Sequence, residues 1–243
     1  MNRLLGLLMI MLFLTACSNE EKDTVMISAA ASLTDALTEI KIVFKETHPE
    51  INIEFNFGGS GALREQVKQG APVDMVIFAS QKDFDLLSKS VDYLKQDNLL
   101  QNTLVLIVPK GNEKVTSIDS LNSAEKIAIG TSKSVPAGYY AEQALDYLGL
   151  KERIEDKFIY AEDVRAVLQY VAQGEVDAGI VYRTDALLDN KVKIVDTFEK
   201  ETHEKIVYPV GTLTDGEATD QFYEFLQTKE ATDIFKKYGF TVE

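Results

Sequence analysis

Cysteine and histidine are scarce in this sequence of 243 residues, which has one cysteine, Cys17, and two histidines, His48 and His203. A single cysteine excludes an internal disulfide, a cysteine-rich metal site and dithiol chemistry. Neither histidine has a partner at the spacing of metal ligands. We therefore expect no cofactor and no metal ion bound directly by side chains.

Positive charge is also scarce. The chain has 25 Lys and Arg residues against 39 Asp and Glu residues, a net charge of −14. This balance makes nucleic acid an improbable partner. The surplus of negative charge weakly repels an anionic ligand at long range, although salt screens this repulsion over about 8 to 10 Å. Any anion site must therefore depend on local donors.

An apolar run at the N terminus, residues 4–14, is too short to cross a membrane. It follows the positive charge of Arg3 and is followed by small residues that end at Cys17. This order is typical of a secretory signal peptide, which we expect to span residues 1–16.

The tetrapeptide before the mature chain, Leu14-Thr15-Ala16-Cys17, resembles the bacterial lipobox. In that motif the cysteine is lipidated, with palmitate among the acyl groups, and becomes the first residue of the mature protein. We expect an extracytoplasmic protein anchored to the cell membrane by Cys17, with residues 17–23 as a polar tether. The alternative is an ordinary signal peptide followed by a free thiol.

After the tether, apolar residues alternate between strand and helical spacing. Residues 25–31 form a short apolar run, and residues 33–44 repeat apolar side chains at helical intervals. Further strand and helix units follow, and a second series begins after Leu104. The alternation predicts mostly parallel sheets covered by helices on both faces, and the two series favour two lobes.

Extended runs near Leu104 and Ile206 are the candidate crossovers between the lobes. The first lobe is then predicted to comprise residues 24–103 plus 208–243, and the second residues 104–207. We expect the ligand-binding cleft where the two lobes meet.

Four predicted junctions between a strand and a helix begin with small or hydroxyl residues. Ligands bind at the carboxyl ends of strands in such sheets, and helix starts offer unpaired N–H groups with a positive dipole end. The junctions predict an anion site built of donors. The simpler interpretation is that Ser32 or Thr34 caps a helix and that the glycine-rich segment is only a turn. The junctions are Ala31-Ser32, Gly59-Ser60, Pro136-Ala137-Gly138 and Asp163-Val164.

Five separated motifs resemble the molybdate-binding proteins of molybdate ABC importers, as does the C-terminal segment from KIVYPVGTL to IFKKYGF. The resemblance implies an α/β fold of the two-lobed periplasmic-binding-protein type (type II), with mixed sheets flanked by helices. It also implies a monomeric carrier, not an enzyme, that captures molybdate or tungstate and delivers it to a membrane permease. The motifs are AAASLTDAL (29–37), GAPVDMVIFAS (70–80), VPAGYYAEQAL (135–145), AEDVRAVL (161–168) and GIVYRTDA (179–186).

The resemblance assigns five residues to the oxyanion. Ser32 and Ser60 would donate backbone N–H and hydroxyl groups, Ala137 and Val164 backbone N–H groups, and Tyr182 its phenol. The turn around Ser60 carries fewer serines than in some relatives. Neutral donors suit a desolvated dianion, which is costly to bury unless each oxygen is hydrogen-bonded.

Other polar residues near the motifs have simpler interpretations. Asp35 and Asp163 are interpreted as helix-start carboxylates, and Tyr139 and Tyr140 as packing residues. The nearby arginines, at positions 64, 165 and 183, are interpreted as partners of carboxylates or as surface residues.

Two other functions stay open at this point. One is a carrier of another oxyanion, such as sulfate. The other is a small-molecule enzyme on the same scaffold, which would need an acid and a base positioned in the cleft.

Overall fold

In the computed structural model, which describes residues 23–242, strands and helices alternate along the chain. The predicted signal peptide and Cys17 lie outside the described residues. The strands are β1 (Thr24–Ala30), β2 (Asn52–Gly58), β3 (Met75–Ile77), β4 (Lys95–Gln101), β5 (Leu104–Pro109), β6 (Ile127–Gly130), β7 (Phe158–Ala161), β8 (Ala178–Tyr182), β9 (Val192–Thr197), β10 (Val207–Thr212) and β11 (Thr241–Val242). The helices are α1 (Thr34–Thr47), α2 (Ser60–Lys68), α3 (Gln81–Leu87), α4 (Pro136–Tyr147), α5 (Lys151–Ile154), α6 (Val164–Ala172), α7 (Arg183–Ala186), α8 (Glu217–Phe225) and α9 (Lys229–Lys237).

The strands form two mixed sheets, one in each lobe. The first has the order β11-β4-β10-β3-β1-β2, and the second β7-β6-β8-β5-β9. Strand β1 pairs in parallel with β2 and β3, and β6 pairs in parallel with β7 and β8. Strands β10 and β5 pair antiparallel with their neighbours. The predicted two-lobed α/β fold is confirmed.

The chain passes between the sheets at two places. Only Asn102 and Thr103 separate β4 of the first sheet from β5 of the second, and residues 198–206 separate β9 from β10. The predicted lobe limits (24–103 with 208–243, and 104–207) stay a prediction.

Helix α1 shows how the sequence builds the first lobe. Its buried side chains, Ala36, Leu37, Ile40 and Phe44, follow helical spacing and cover the sheet. The Phe44 ring meets the Phe222 ring of α8 edge to face, with centroids 5.0 Å apart. This contact ties the C-terminal segment to the lobe that begins the chain.

Glycines end two helices of the second lobe. Gly149 follows α4 with φ of +65°, and Gly174 follows α6 with φ of +72°. Both have the left-handed backbone of a helix C-terminus, as their positions in the sequence predict. Between residues 23 and 242, no helix is both long and apolar enough to cross a bilayer.

Candidate functional site

A small pocket lies between the lobes at the carboxyl ends of β1, β2 and β8. All five residues assigned from the sequence line it: Ser32, Ser60, Ala137, Val164 and Tyr182. The rest of its lining is alanine, glycine, valine and proline, with one carboxylate, Asp163. The residues therefore converge from both lobes on one small pocket.

Four helix starts surround this pocket. A short 3-10 helix (Ala31–Leu33) leads into α1, and α2, α4 and α6 begin at Ser60, Pro136 and Val164. The first turn of a helix leaves N–H groups without partners in the helix and carries the positive end of its dipole. The pocket is therefore rich in donors and favours negative charge.

The Ser32 hydroxyl is held by Tyr208, with the two oxygens 2.9 Å apart. Asn102 sets the direction of this bond. Its Oδ1 accepts the Thr103 N–H at 2.9 Å, so its Nδ2 faces Tyr208 and donates to the phenol oxygen at 3.1 Å. Because the phenol oxygen already accepts from Asn102, we assign the Tyr208 proton to the bond with Ser32, which leaves the Ser32 proton for a ligand.

The Ser60 hydroxyl is also oriented by a hydrogen bond, in this case from a backbone N–H group. The Ala79 N–H donates to Ser60 Oγ at 3.0 Å. The hydroxyl oxygen therefore already accepts a hydrogen bond, and its own proton can be donated into the pocket. Both serines are thus presented as donors.

Tyr182 contributes a buried phenol. Its Oη is inaccessible to solvent and has no hydrogen-bond partner among the described residues. Burial raises the pKa of the Tyr182 phenol well above its usual range, so the group keeps its proton at neutral pH. A buried polar group left unpaired costs about 1 to 3 kcal/mol, which an acceptor in the pocket would offset.

The glycine-rich turn before α2 is explained by close contact between the lobes. A Cβ on Gly59 would lie 2.6 Å from Ser134 O, and one on Gly61 would lie 2.7 Å from Ser134 Cα. The Gly61 N–H donates to Ser134 O at 2.9 Å. Bulkier residues would hold the second lobe away from Ser60.

Cationic side chains are absent from the lining, all of which belongs to the described part of the chain. Asp163 caps α6, because its Oδ1 accepts the Ala166 N–H at 2.9 Å. The pocket therefore offers neutral donors without a counter-charge.

The structure corrects one detail of the sequence interpretation. Neither Ser32 nor Thr34 caps α1: the Ser32 hydroxyl bonds to Tyr208, and Thr34 donates to Ala31 O at 2.7 Å. The arrangement also uses Tyr208, whose role the KIVYPVGTL motif does not by itself reveal. Asn102 has no local signal, because its role depends on a contact 106 residues away in sequence.

The remaining candidates lie outside the pocket lining. Arg64 pairs with Glu65 and Asp83, as expected of a carboxylate partner. Tyr139 donates to Glu204 at 3.0 Å, and the Tyr140 side chain is buried.

Comparison with known proteins identifies the family. The sequence matches the bacterial extracellular solute-binding proteins over residues 25–241. The chain belongs to this family. A Bacillus subtilis (strain 168) protein, YvgL, described as an ABC transporter substrate-binding lipoprotein, is 46% identical, over 94% of this chain and 90% of the relative.

Two further proteins link the chain to molybdate-binding relatives. The molybdate-binding protein ModA of Escherichia coli (strain K12) is 38% identical, over 94% of this chain and 92% of the relative. The periplasmic molybdate-binding protein of Azotobacter vinelandii has a TM-score of 0.80 at 20% identity, over 90% of this chain and 99% of that structure. The match to the Escherichia coli protein confirms the resemblance to molybdate-binding proteins, and the match to the Azotobacter vinelandii structure confirms the fold.

Proposed function

We propose that this protein captures molybdate outside the cytoplasm and delivers it to the membrane permease of an ABC importer. The observation that carries the proposal is the buried Tyr182 hydroxyl, without a partner among the described residues, in a pocket that four helix starts surround. Ser32, Ser60, Ala137, Val164 and Tyr182 are the proposed ligands of the oxyanion.

The chemistry of the pocket favours a fully deprotonated oxyanion. Molybdate is a tetrahedral dianion whose four oxygens all accept hydrogen bonds. Hydrogen phosphate retains a proton near neutral pH, and that proton needs an acceptor. The lining offers one carboxylate, Asp163, and its Oδ1 already accepts the Ala166 N–H of the α6 cap. Tungstate nearly equals molybdate in size and charge, so we include it as a ligand.

The relatives support molybdate and import over the alternatives. ModA is 38% identical and is named for molybdate, and YvgL, at 46%, is described as a substrate-binding protein of an ABC transporter. We propose binding and not catalysis, since the lining contains no histidine and its single carboxylate is a helix cap. Sulfate is the competing ligand to test.

Calorimetric titration of the purified protein with molybdate, tungstate, sulfate and phosphate tests the ligand. We expect strong binding of molybdate and tungstate, and weak or no binding of sulfate and phosphate. Tight sulfate binding without a heat of molybdate binding would refute the proposal.

We further propose that the mature protein is a monomer held at the membrane by a lipid on Cys17. The lipobox-like LTAC sequence and the lipoprotein description of YvgL support the anchor. Labelled palmitate should enter the wild-type protein, and Cys17→Ala should release it from the membrane fraction. Equal membrane retention of both forms would exclude this anchor.

A further inference from the structure

Arg165 joins the two lobes beside the pocket. It is the second residue of α6, and its side chain is 21% exposed. Its Nη2 donates to Asp35 Oδ2 in α1 of the other lobe at 2.6 Å, and it lies 3.5 Å from Ser32 O. Its Nε lies 2.8 Å from Asp185 Oδ1, within its own lobe.

These contacts reach the segments of three proposed ligands. Val164 directly precedes Arg165, Asp35 lies three residues after Ser32, and Asp185 lies three residues after Tyr182. Arg165 itself does not line the pocket but borders a wider groove next to it. Arg165 therefore affects a ligand only indirectly, by positioning the chain segments that it contacts.

The two carboxylates have different roles because they lie in different lobes. Asp185 is fully buried and belongs to the same lobe as Arg165, so this pair persists when the lobes separate. The Asp35 side chain is 44% exposed and belongs to the first lobe. The contact with Asp35 therefore exists only when the lobes are closed.

We propose that Arg165 is a positioning residue that clasps Asp35 across the cleft and so slows release of the bound anion. The proposal rests on the proposed function, since it concerns closure of the lobes over the oxyanion. Exposed ion pairs contribute little because two flexible side chains must be ordered. Here Arg165 Nε already lies 2.8 Å from the buried Asp185 Oδ1, although the contact lacks hydrogen-bond geometry. Asp185 therefore limits the positions of the Arg165 side chain before the lobes close.

The test is Asp35→Asn, which removes the negative charge of the interlobe pair and leaves Asp185 and the contact with Ser32 O in place. In stopped-flow displacement of molybdate, we expect dissociation to become about 3- to 10-fold faster, with little change in association. Asp35→Glu should restore most of the slow release. Added NaCl should speed release from the wild type more than from Asp35→Asn.

Glu230→Gln is the matched control. Glu230 is also an acidic residue in the first turn of a first-lobe helix, but it is exposed and lies in α9. The control therefore loses the same charge and the same favourable dipole interaction. It should leave the molybdate dissociation rate unchanged.

The outcomes separate this inference from the proposed function. If the wild type does not bind molybdate, the proposed function fails. If it binds, and Asp35→Asn releases molybdate at the wild-type rate with the same salt dependence, the proposed role of the Arg165–Asp35 contact is wrong. Faster release from Asp35→Asn that is matched by Glu230→Gln, or is accompanied by a larger fall in ligand-free melting temperature than Glu230→Gln shows, would also overturn the proposal.

Discussion

Replacing Tyr182 by Phe should weaken molybdate binding without reducing the stability of the ligand-free protein. The phenol has no hydrogen-bond partner among the described residues, so the substitution breaks no contact within the protein. With molybdate bound, the lost donor leaves one oxygen of the dianion unpaired. Such a loss costs about 1 to 3 kcal/mol, and 1.4 kcal/mol is a factor of 10, so affinity should fall about 5- to 150-fold.

The assay combines calorimetric titration with thermal unfolding, and Tyr93→Phe is the control. The Tyr93 hydroxyl donates to Phe84 O at 3.0 Å in the first lobe and lies outside the pocket lining. Its removal should lower stability by about 0.5 to 1.5 kcal/mol and leave the affinity unchanged. The two variants should therefore show opposite patterns. Wild-type affinity in Tyr182→Phe, or a large loss of its ligand-free stability, would refute the reasoning.

Three further substitutions test the surroundings of the pocket. Tyr208→Phe removes the donor that orients the Ser32 hydroxyl and should weaken molybdate binding by about 0.5 to 1.5 kcal/mol in calorimetry; unchanged affinity would mean that the orientation is unimportant. Gly61→Ala places a Cβ 2.7 Å from Ser134 Cα, so X-ray scattering with molybdate should show incomplete closure while ligand-free stability is kept; normal closure would contradict this steric argument. Burial raises the pKa of Asp185 to about 7 from 3.8, so the folded state retains a proton that the unfolded state releases, and stability falls as pH rises from about 4 to 7. Urea unfolding should show this loss, at most about 4 kcal/mol, in the wild type, and a flatter pH dependence in Asp185→Asn; parallel curves would exclude Asp185 as its source.

Much of the fold could be predicted because its signals are local. The apolar spacing of α1, and the glycines that end α4 and α6, depend on neighbours within a few turns. Strand β4 had no such signal. The segment Lys95–Gln101 is largely polar and becomes a strand by pairing with β10, whose Val207 lies opposite Gln101. That pairing spans more than a hundred residues and is invisible in a local pattern.

The functional site, too, was only partly predictable from the sequence. Ser32, Ser60, Ala137, Val164 and Tyr182 were assigned through motifs, and the structure brings all five to one pocket. Their role as ligands of the oxyanion stays a prediction.

Local sequence patterns were sufficient to predict the strand and helix series, the donor-rich helix starts and the family resemblance. These depend on short segments whose physical preferences are set by neighbouring residues. The orientation of the donors, in contrast, depends on tertiary contacts. Asn102 and Tyr208 direct the Ser32 proton, and Arg165 meets Asp35 across the cleft, through contacts between residues at least 106 positions apart. Hydrogen-bond direction and lobe contact depend on positions in space, which a linear motif does not contain.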